Sequence, residues 1–269
     1  TQPALSQALQ RIEKELGEPL FERTSTKLIP TPLTHFIIQK GTPLLKNFDN
    51  FQSALRDYQN KQEKKISFGI SQFYGRHYLT KILMIIEKLY PAYKVEVTEG
   101  ESHFLEEELL KGRLDLAFYP IPTLHKSLET FPVHEEEIML AIPNSDTEAL
   151  SALGSPNVLS TLSDKSFILM QQGFKLREIT DEFFKDANVT PHVALESHNL
   201  DTCLSLVSHG YGLSFLPDLL QEEGKVKEVT FFSLENAKKY RHLALVCTTQ
   251  KAEHLKVSKM AAALKKLFI

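Results

Sequence analysis

Only two cysteines occur in 269 residues, Cys203 and Cys247. They lie far apart and form no C-x-x-C pair, so neither a disulfide framework nor a thiolate zinc site is indicated, and both are read as buried thiols. No run of about 18 apolar residues is present, so no membrane-spanning helix is expected. With no recognisable secretory leader either, the expected compartment is the cytoplasm. The ten histidines show no paired metal spacing. No serine sits in a G-x-S-x-G elbow, and no G-x-G-x-x-G follows a strand pattern. The acidic clusters Glu106 to Glu108 and Glu135 to Glu137 are contiguous, so helix or strand geometry points their members different ways, and they are read as solvated faces. No catalytic residue, metal ligand or cofactor site emerges, and the chain is not expected to be an enzyme.

What is present is ordinary for a soluble globular protein: 42% hydrophobic and 24% charged residues. The length calls for at least two compact units. Charge is divided unevenly. Residues 1–65 hold ten Lys and Arg against seven Asp and Glu, a net +3, while the remainder holds 21 against 27, a net −6. A weakly basic front suits phosphate contacts, and the acidic body argues against a second nucleic-acid surface.

The first 23 residues read as one bounded helix and the start of a wing. Thr1 is an N-cap type, Pro3 fits a first turn whose N–H would be unpaired anyway, and Gly17 sits where a C-terminal cap belongs. Leu5, Ala8, Leu9, Ile12 and Leu16 make an apolar stripe at helical spacing, the expected core side. Gln2, Ala4, Ser6, Gln7 and Arg11 fall on the other faces. Short amide and hydroxyl groups at a helix N-terminus suit a DNA major groove. An ordinary amphipathic helix explains the stripe equally well.

The wording of this segment narrows the choice. TQPALS, followed by Ile12, Glu13, Leu16, Gly17 and Leu20-Phe21-Glu22-Arg23, resembles the signature of the LysR-type transcriptional regulators, and the order of the later segments follows that family. Two departures stand out: Gln7 where the family usually has Arg, and Pro32-Leu33-Thr34 in place of a small-residue turn. The resemblance implies double-stranded operator DNA as a partner. It places Thr1, Gln2, Pro3, Ala4, Ser6, Gln7 and Arg11 on a recognition helix, with Arg23 and Lys27 as wing contacts. It also implies that the first helix of the DNA-binding domain lies outside this chain. Some peroxide-sensing relatives use a reactive cysteine pair close together, and Cys203 and Cys247 do not match that spacing.

From Leu33 to about Gln62, Ile37, Gly41, Leu44, Phe48, Phe51, Leu55 and Tyr58 recur in alternating steps of four and three, a heptad seam. Gly41 and Pro43 predict a kink near residue 40. In the family the corresponding linker helix pairs with that of a second subunit, so a homodimer through this helix is expected, with tetramers formed through the effector domains. The polar run YQNKQEKK, residues 58–65, reads as a hinge.

Beyond it short apolar runs alternate with helical patterns, predicting βαβ units and a mostly parallel sheet. The expected strands are Ile66 to Ile70, Lys94 to Thr98, Leu114 to Phe118, Ile138 to Ile142, Phe167 to Met170, Val193 to Glu196, Leu213 to Leu216 and His242 to Val246. The expected helices are Tyr78 to Tyr90, His103 to Lys111, Leu176 to Ala187, Leu200 to His209 and Ala252 to Phe268. The fold class is α/β: a partial winged helix-turn-helix and long linker helix, followed by a two-lobed effector domain like the periplasmic binding proteins. The expected division is 1–32 for the DNA-binding part, 33–64 for linker and hinge, and 65–269 for the effector domain. Within that domain, lobe I comprises 65–142 and 241–269, and lobe II comprises 143–240.

Ligands in such folds bind at the carboxyl ends of strands, against helix N-termini. The residues there are Ser71, Gln72, Phe73, Ser102, Tyr119, Gln171, Gln172, His198 and Asn199, and Ser71, Ser102 and Gln171 head the set. Hydroxyls and helix ends suit a small polar molecule such as a carboxylate. Two functions compete: a DNA-binding regulator answering to a small-molecule effector, and a solute-binding receptor of the same fold. Only the first needs a recognition helix and a heptad helix.

Overall fold

The computed structural model describes residues 2–23, 28–222, 227–234 and 239–268. The chain divides into two compact units, 1–59 and 60–269. The first begins with α1 (Gln2–Leu16), which ends at Gly17 with φ +79°, a backbone region that costs glycine little. Strands β1 (Phe21–Arg23) and β2 (Leu28–Pro30) then pair antiparallel as a short wing. The next helix, α2 (Pro32–Glu63), starts on the segment that departs from the family wording. That segment has its own logic: proline occupies the first helical position, and the Thr34 amide donates to the Thr31 hydroxyl at 3.4 Å.

Two expectations change in this unit. The stripe on α1 is largely exposed in this chain: Leu5 is 74% exposed and Ile12 and Leu16 nearly half so. Helix α2 runs through Pro43 as one continuous helix. The hinge also shrinks, since residues 58–63 are helical and the turn falls at Lys64, whose φ is +48°.

The second unit opens with β3 (Lys65–Ser71), α3 (Gln72–Leu89), β4 (Lys94–Gly100), α4 (Ser102–Leu110), β5 (Leu116–Ile121) and the long β6 (Leu128–Pro143). Short helices α5 (Thr147–Ser151) and α6 (Val158–Thr161) lead to β7 (Ser166–Met170), α7 (Lys175–Asp186), β8 (His192–Ser197), α8 (Leu200–Ser208), β9 (Ser214–Pro217) and α9 (Leu219–Glu222). The chain closes through β10 (Val229–Phe232), β11 (Lys239–Thr248), α10 (Thr249–His254) and α11 (Val257–Lys265).

Strands β3, β4 and β5 are mutually parallel through β3, as are β7 and β8. The rest of the sheet is not: β11 pairs antiparallel with β5 and β6, and β9 and β10 pair antiparallel with β6. The mostly parallel expectation is thereby corrected to a mixed sheet. The reason is geometric, because β6 carries the chain out of one lobe and β11 brings it back alongside. Pro132 fits inside β6 because the ladder shifts register there, with Leu243 opposite His134 and Ala244 opposite Pro132.

Buried residues fall into separate clusters. Ile66, Phe68 and Ile70 of β3 meet Tyr74, Tyr78, Ile82 and Ile86 of α3 on one face of the first lobe. The second lobe gathers Phe167, Phe183 and Phe215 with the end of β6, from Ile138 to Ile142. Helix α3 starts about two turns earlier than expected, since Tyr74 extends the every-fourth-residue stripe of Tyr78, Ile82 and Ile86. The closing helix is two, broken at Lys256 with φ +45° between buried Leu255 and Val257. Gly210 and Gly212 make the turn from α8 into β9: a Cβ on Gly212 would stand 2.5 Å from the Ser166 carbonyl oxygen.

Candidate functional site

Four strands of the second unit hand over to helices at one place. Ser71 ends β3 and is the N-cap of α3, only Glu101 separates Gly100 at the end of β4 from α4, and short turns lead from β7 to α7 and from β8 to α8. All four helix N-termini line a single cavity of about 560 Å³, a volume suited to a small ligand. Ser71, Gln72, Phe73 and Ser102 line it from the first lobe, and Gln172, His198 and Asn199 from the second. Two of the expected residues do not. The Gln171 amide donates to the Ser197 carbonyl and its own carbonyl accepts from Phe174, so it shapes the turn instead. Tyr119 is fully buried behind the cavity wall.

The cavity favours anions at its helix ends. The N-caps of α3, α4 and α7, namely Ser71, Glu101 and Phe174, make no side-chain cap bond, so first-turn amides keep unused donors. Only on α8 does the cap close, where Asn199 accepts from the Thr202 amide at 3.1 Å. Two cations, Lys175 and Arg241, join them, together with three carboxylates, Glu101, Glu106 and Glu178. The Lys175 ammonium donates to the Pro120 carbonyl at 2.7 Å and lies 3.7 Å from Glu106, while burial lowers its pKa against the pull of that carboxylate. Arg241 lines the cavity while donating to Glu136 and to the Tyr74 hydroxyl, and Tyr74 donates in turn to Glu136. Burial raises the Tyr74 pKa well above its ordinary value; it also works against the Arg241 charge, but Glu136 and Tyr74 together outweigh it and hold Arg241 high. At the rim, Arg76 meets Asp201 at 2.8 Å, joining α3 to α8.

Lys175, Glu106 and Arg241 escaped the sequence reading. Lys175 is the first residue of α7, so the strand-end rule that picked Gln172 reaches it three residues on. Glu106 follows Ser102 by one helical turn and shares its face. Arg241 carries no local signal, because the register of β11 against β6 alone sets it opposite Glu136. The acidic clusters also need correction. Their members do diverge, but Glu106 and Glu136 point inward and are fully buried, and Glu108 is nearly so, paired with Arg113. Among the described residues no cluster of three or more His, Cys, Asp or Glu could hold a metal ion, and no helix is long and apolar enough to cross a membrane.

Both cysteines are buried free thiols. Desolvation pushes Cys203 up to about 11 and Cys247 up to about 12, far from the thiolate range that reacts with peroxide. Hydrogen peroxide should therefore leave both as thiols in the folded protein, as read by mass spectrometry after alkylation under denaturing conditions. A disulfide or sulfenic acid at stoichiometric yield would overturn that.

In the first unit, Ala4, Ser6, Gln7 and Arg11 are exposed on α1, and Arg11 reaches Glu15 at 3.9 Å. Thr1 and Lys27 lie outside the described residues, as do the side chains of Gln2, Pro3 and Arg23.

Comparison with known proteins agrees at both ends of the chain. The LysR substrate binding domain matches residues 59–268, and the bacterial regulatory helix-turn-helix of the lysR family matches residues 1–34. Among similar proteins, the HTH-type transcriptional regulator YybE of Bacillus subtilis is 26% identical over 81% of this chain and 74% of its own length. The hydrogen peroxide-inducible genes activator of Haemophilus influenzae is 24% identical over 91% and 81%. In fold, an H2O2-bound OxyR mutant of Corynebacterium glutamicum superposes with a TM-score of 0.64 at 22% identity, covering 100% of this chain and 84% of that one. CbnR, a LysR family transcriptional regulator, gives 0.58 at 18% identity over 98% and 90%.

Proposed function

The chain belongs to the LysR family of bacterial transcriptional regulators, and from that membership we propose that the cleft between its two lobes takes up a small carboxylate and so changes how paired subunits hold DNA. Regulators of this family bind DNA and small-molecule effectors, and the helix-turn-helix match sets aside the solute-receptor alternative. The observation that carries the acid is the convergence of four helix N-termini with Lys175 and Arg241 on one cavity. Ser71, Gln72, Phe73, Ser102, Gln172, His198 and Asn199 are the contacts from the sequence reading that this assignment keeps. The chain acts as a regulator and not as an enzyme, in the cytoplasm where its DNA lies.

The proposed division is 1–32 for the DNA-binding part, 33–64 for the linker and 65–269 for the effector domain, with lobe I at 65–142 and 241–269 and lobe II between them. Two subunits pair through α2, and the effector domains join dimers into tetramers. An effector shifts such an assembly only if it binds one arrangement more tightly than the other. Gln2, Ser6 and Gln7 read base edges, and Arg11, Arg23 and Lys27 hold phosphates.

The test is an anisotropy titration of full-length protein against DNA from upstream of its own coding region, at several salt concentrations. Saturable binding over competitor DNA with a steep salt dependence is expected. Ser6→Ala should weaken specific binding by about 1–3 kcal/mol and leave the salt slope unchanged. Equal affinity for the competitor would remove the DNA assignment, and an unaltered Ser6→Ala would remove that contact.

A further inference from the structure

We infer that the acid taken up in the cleft carries a ring-sized apolar body, so that its class is that of hydrophobic carboxylic acids and not of small polar ones. This rests on the acid reading of the cleft and adds a second requirement to it. Four of the apolar side chains that line the cavity keep exposed surface. Leu124 is 63% exposed, Pro122 is exposed as well, and Phe73 and Phe174 are half-buried. Phe73 comes from α3 of the first lobe and packs against the cores of both lobes, while Phe174 is the N-cap of α7 in the second. Their rings are held edge-on by neighbours, Phe73 by Tyr74 at 5.0 Å between centroids and Phe174 by His198 at 5.8 Å. Leu124 is held too. The fully buried Glu106 accepts from the Leu124 amide at 2.7 Å and from the His125 amide at 3.3 Å, and its other oxygen pairs with Lys175 at 3.7 Å. That carboxylate is thus spent on pinning the loop that carries Leu124, and not on a ligand.

A cavity of about 560 Å³ falls among those that enclose ligands of drug size, about 300–1,000 Å³. Acetate or succinate would leave most of it to water, which gains nothing from Phe73, Phe174 and Leu124. An apolar body displaces that water, and the gain grows with the apolar area covered. Because the rings are already held and the loop already pinned, little ordering remains to oppose binding. The charges of the lining sort the two ends of such a ligand. Its carboxylate belongs at the helix ends, with Lys175 and Arg241. Glu101 and Glu178 are exposed, so water screens them, and an uncharged body meets no repulsion from them. A second carboxylate in its place would face like charge.

Calorimetry on the full chain with acetate, succinate, 3-phenylpropionate and 3-phenylpropanol tests this. 3-Phenylpropionate should bind about 10- to 100-fold more tightly than acetate or succinate. Leu124→Ser changes a side chain open to solvent, so it should leave the thermal midpoint unchanged and weaken 3-phenylpropionate alone, by about 3- to 10-fold. Equal binding of 3-phenylpropionate and the small acids would overturn this inference and leave the acid reading standing. A Leu124→Ser variant that holds 3-phenylpropionate as tightly as the wild type would do the same. 3-Phenylpropanol binding as tightly as the acid would overturn the acid reading on which the inference rests. Binding by none of the four would overturn both together.

Discussion

Arg241→Met is expected to destabilise the effector domain by about 3–5 kcal/mol, the penalty for removing one partner of a buried ion pair. Arg241 and Glu136 are both buried, directly opposite each other on β11 and β6, with the Tyr74 hydroxyl bonded to each. Without the guanidinium, Glu136 is left as a buried charge whose Oε2 already lacks a partner. Thermal unfolding should fall by about 10 °C, given about 2–4 °C per kcal/mol for a domain of this size. The double variant with Glu136→Met as well should recover most of the loss, because two well-packed apolar side chains replace the pair without an orphaned charge. It should still fail to answer any acid, since Arg241 also lines the cavity. Urea unfolding of the wild type, both single variants and the double measures the coupling. Additive losses, with no recovery in the double, would show that the three groups do not act as a unit.

The second large effect belongs to α2. Leu44, Phe48, Phe51, Leu55 and Tyr58 follow one another in steps of four and three, and all are exposed, from 47% at Leu55 to 68% at Leu44. Each such side chain gains about 1.5–3 kcal/mol on full burial, so a seam of five is a strong drive to pair. Phe48→Asp with Phe51→Asp places charges where that seam would close. The protein should sediment as a monomer, and its operator affinity should drop about 10²- to 10⁴-fold, because the second head no longer binds from a high effective concentration. Sedimentation velocity and anisotropy on the same sample decide it. A dimer that persists in the double variant would mean that subunits pair elsewhere.

Much of this was legible from local pattern. The α1 wording, Gly17, the wing, the α2 heptads and most strand ends depend on residues within one or two turns of each other, where spacing and backbone preference act directly. Strand ends followed by helices also sufficed to find Ser71, Gln72, Phe73, Ser102, Gln172, His198 and Asn199 at the cavity, since that rule needs only element order. It stopped short at Lys175, and it over-reached at Gln171 and Tyr119, because being at a strand end does not say which way a side chain turns. The same limit explains Glu106 and Glu136. Contiguous carboxylates do diverge, but the sequence does not say which member faces in.

By itself, then, the sequence determined the class of protein, its helix-turn-helix end, a long helix with an exposed heptad seam and the strand ends at its cavity, all of them matters of local order. The tertiary structure decided the cleft's charges and the sheet's mixed sense. Arg241 meets Glu136 across 105 residues only because β6 and β11 cross between lobes in a particular register. Lys175 approaches Glu106 only because α7 of one lobe faces α4 of the other across the cavity. Such pairings are set by the packing of distant elements, and no periodicity along the chain encodes them.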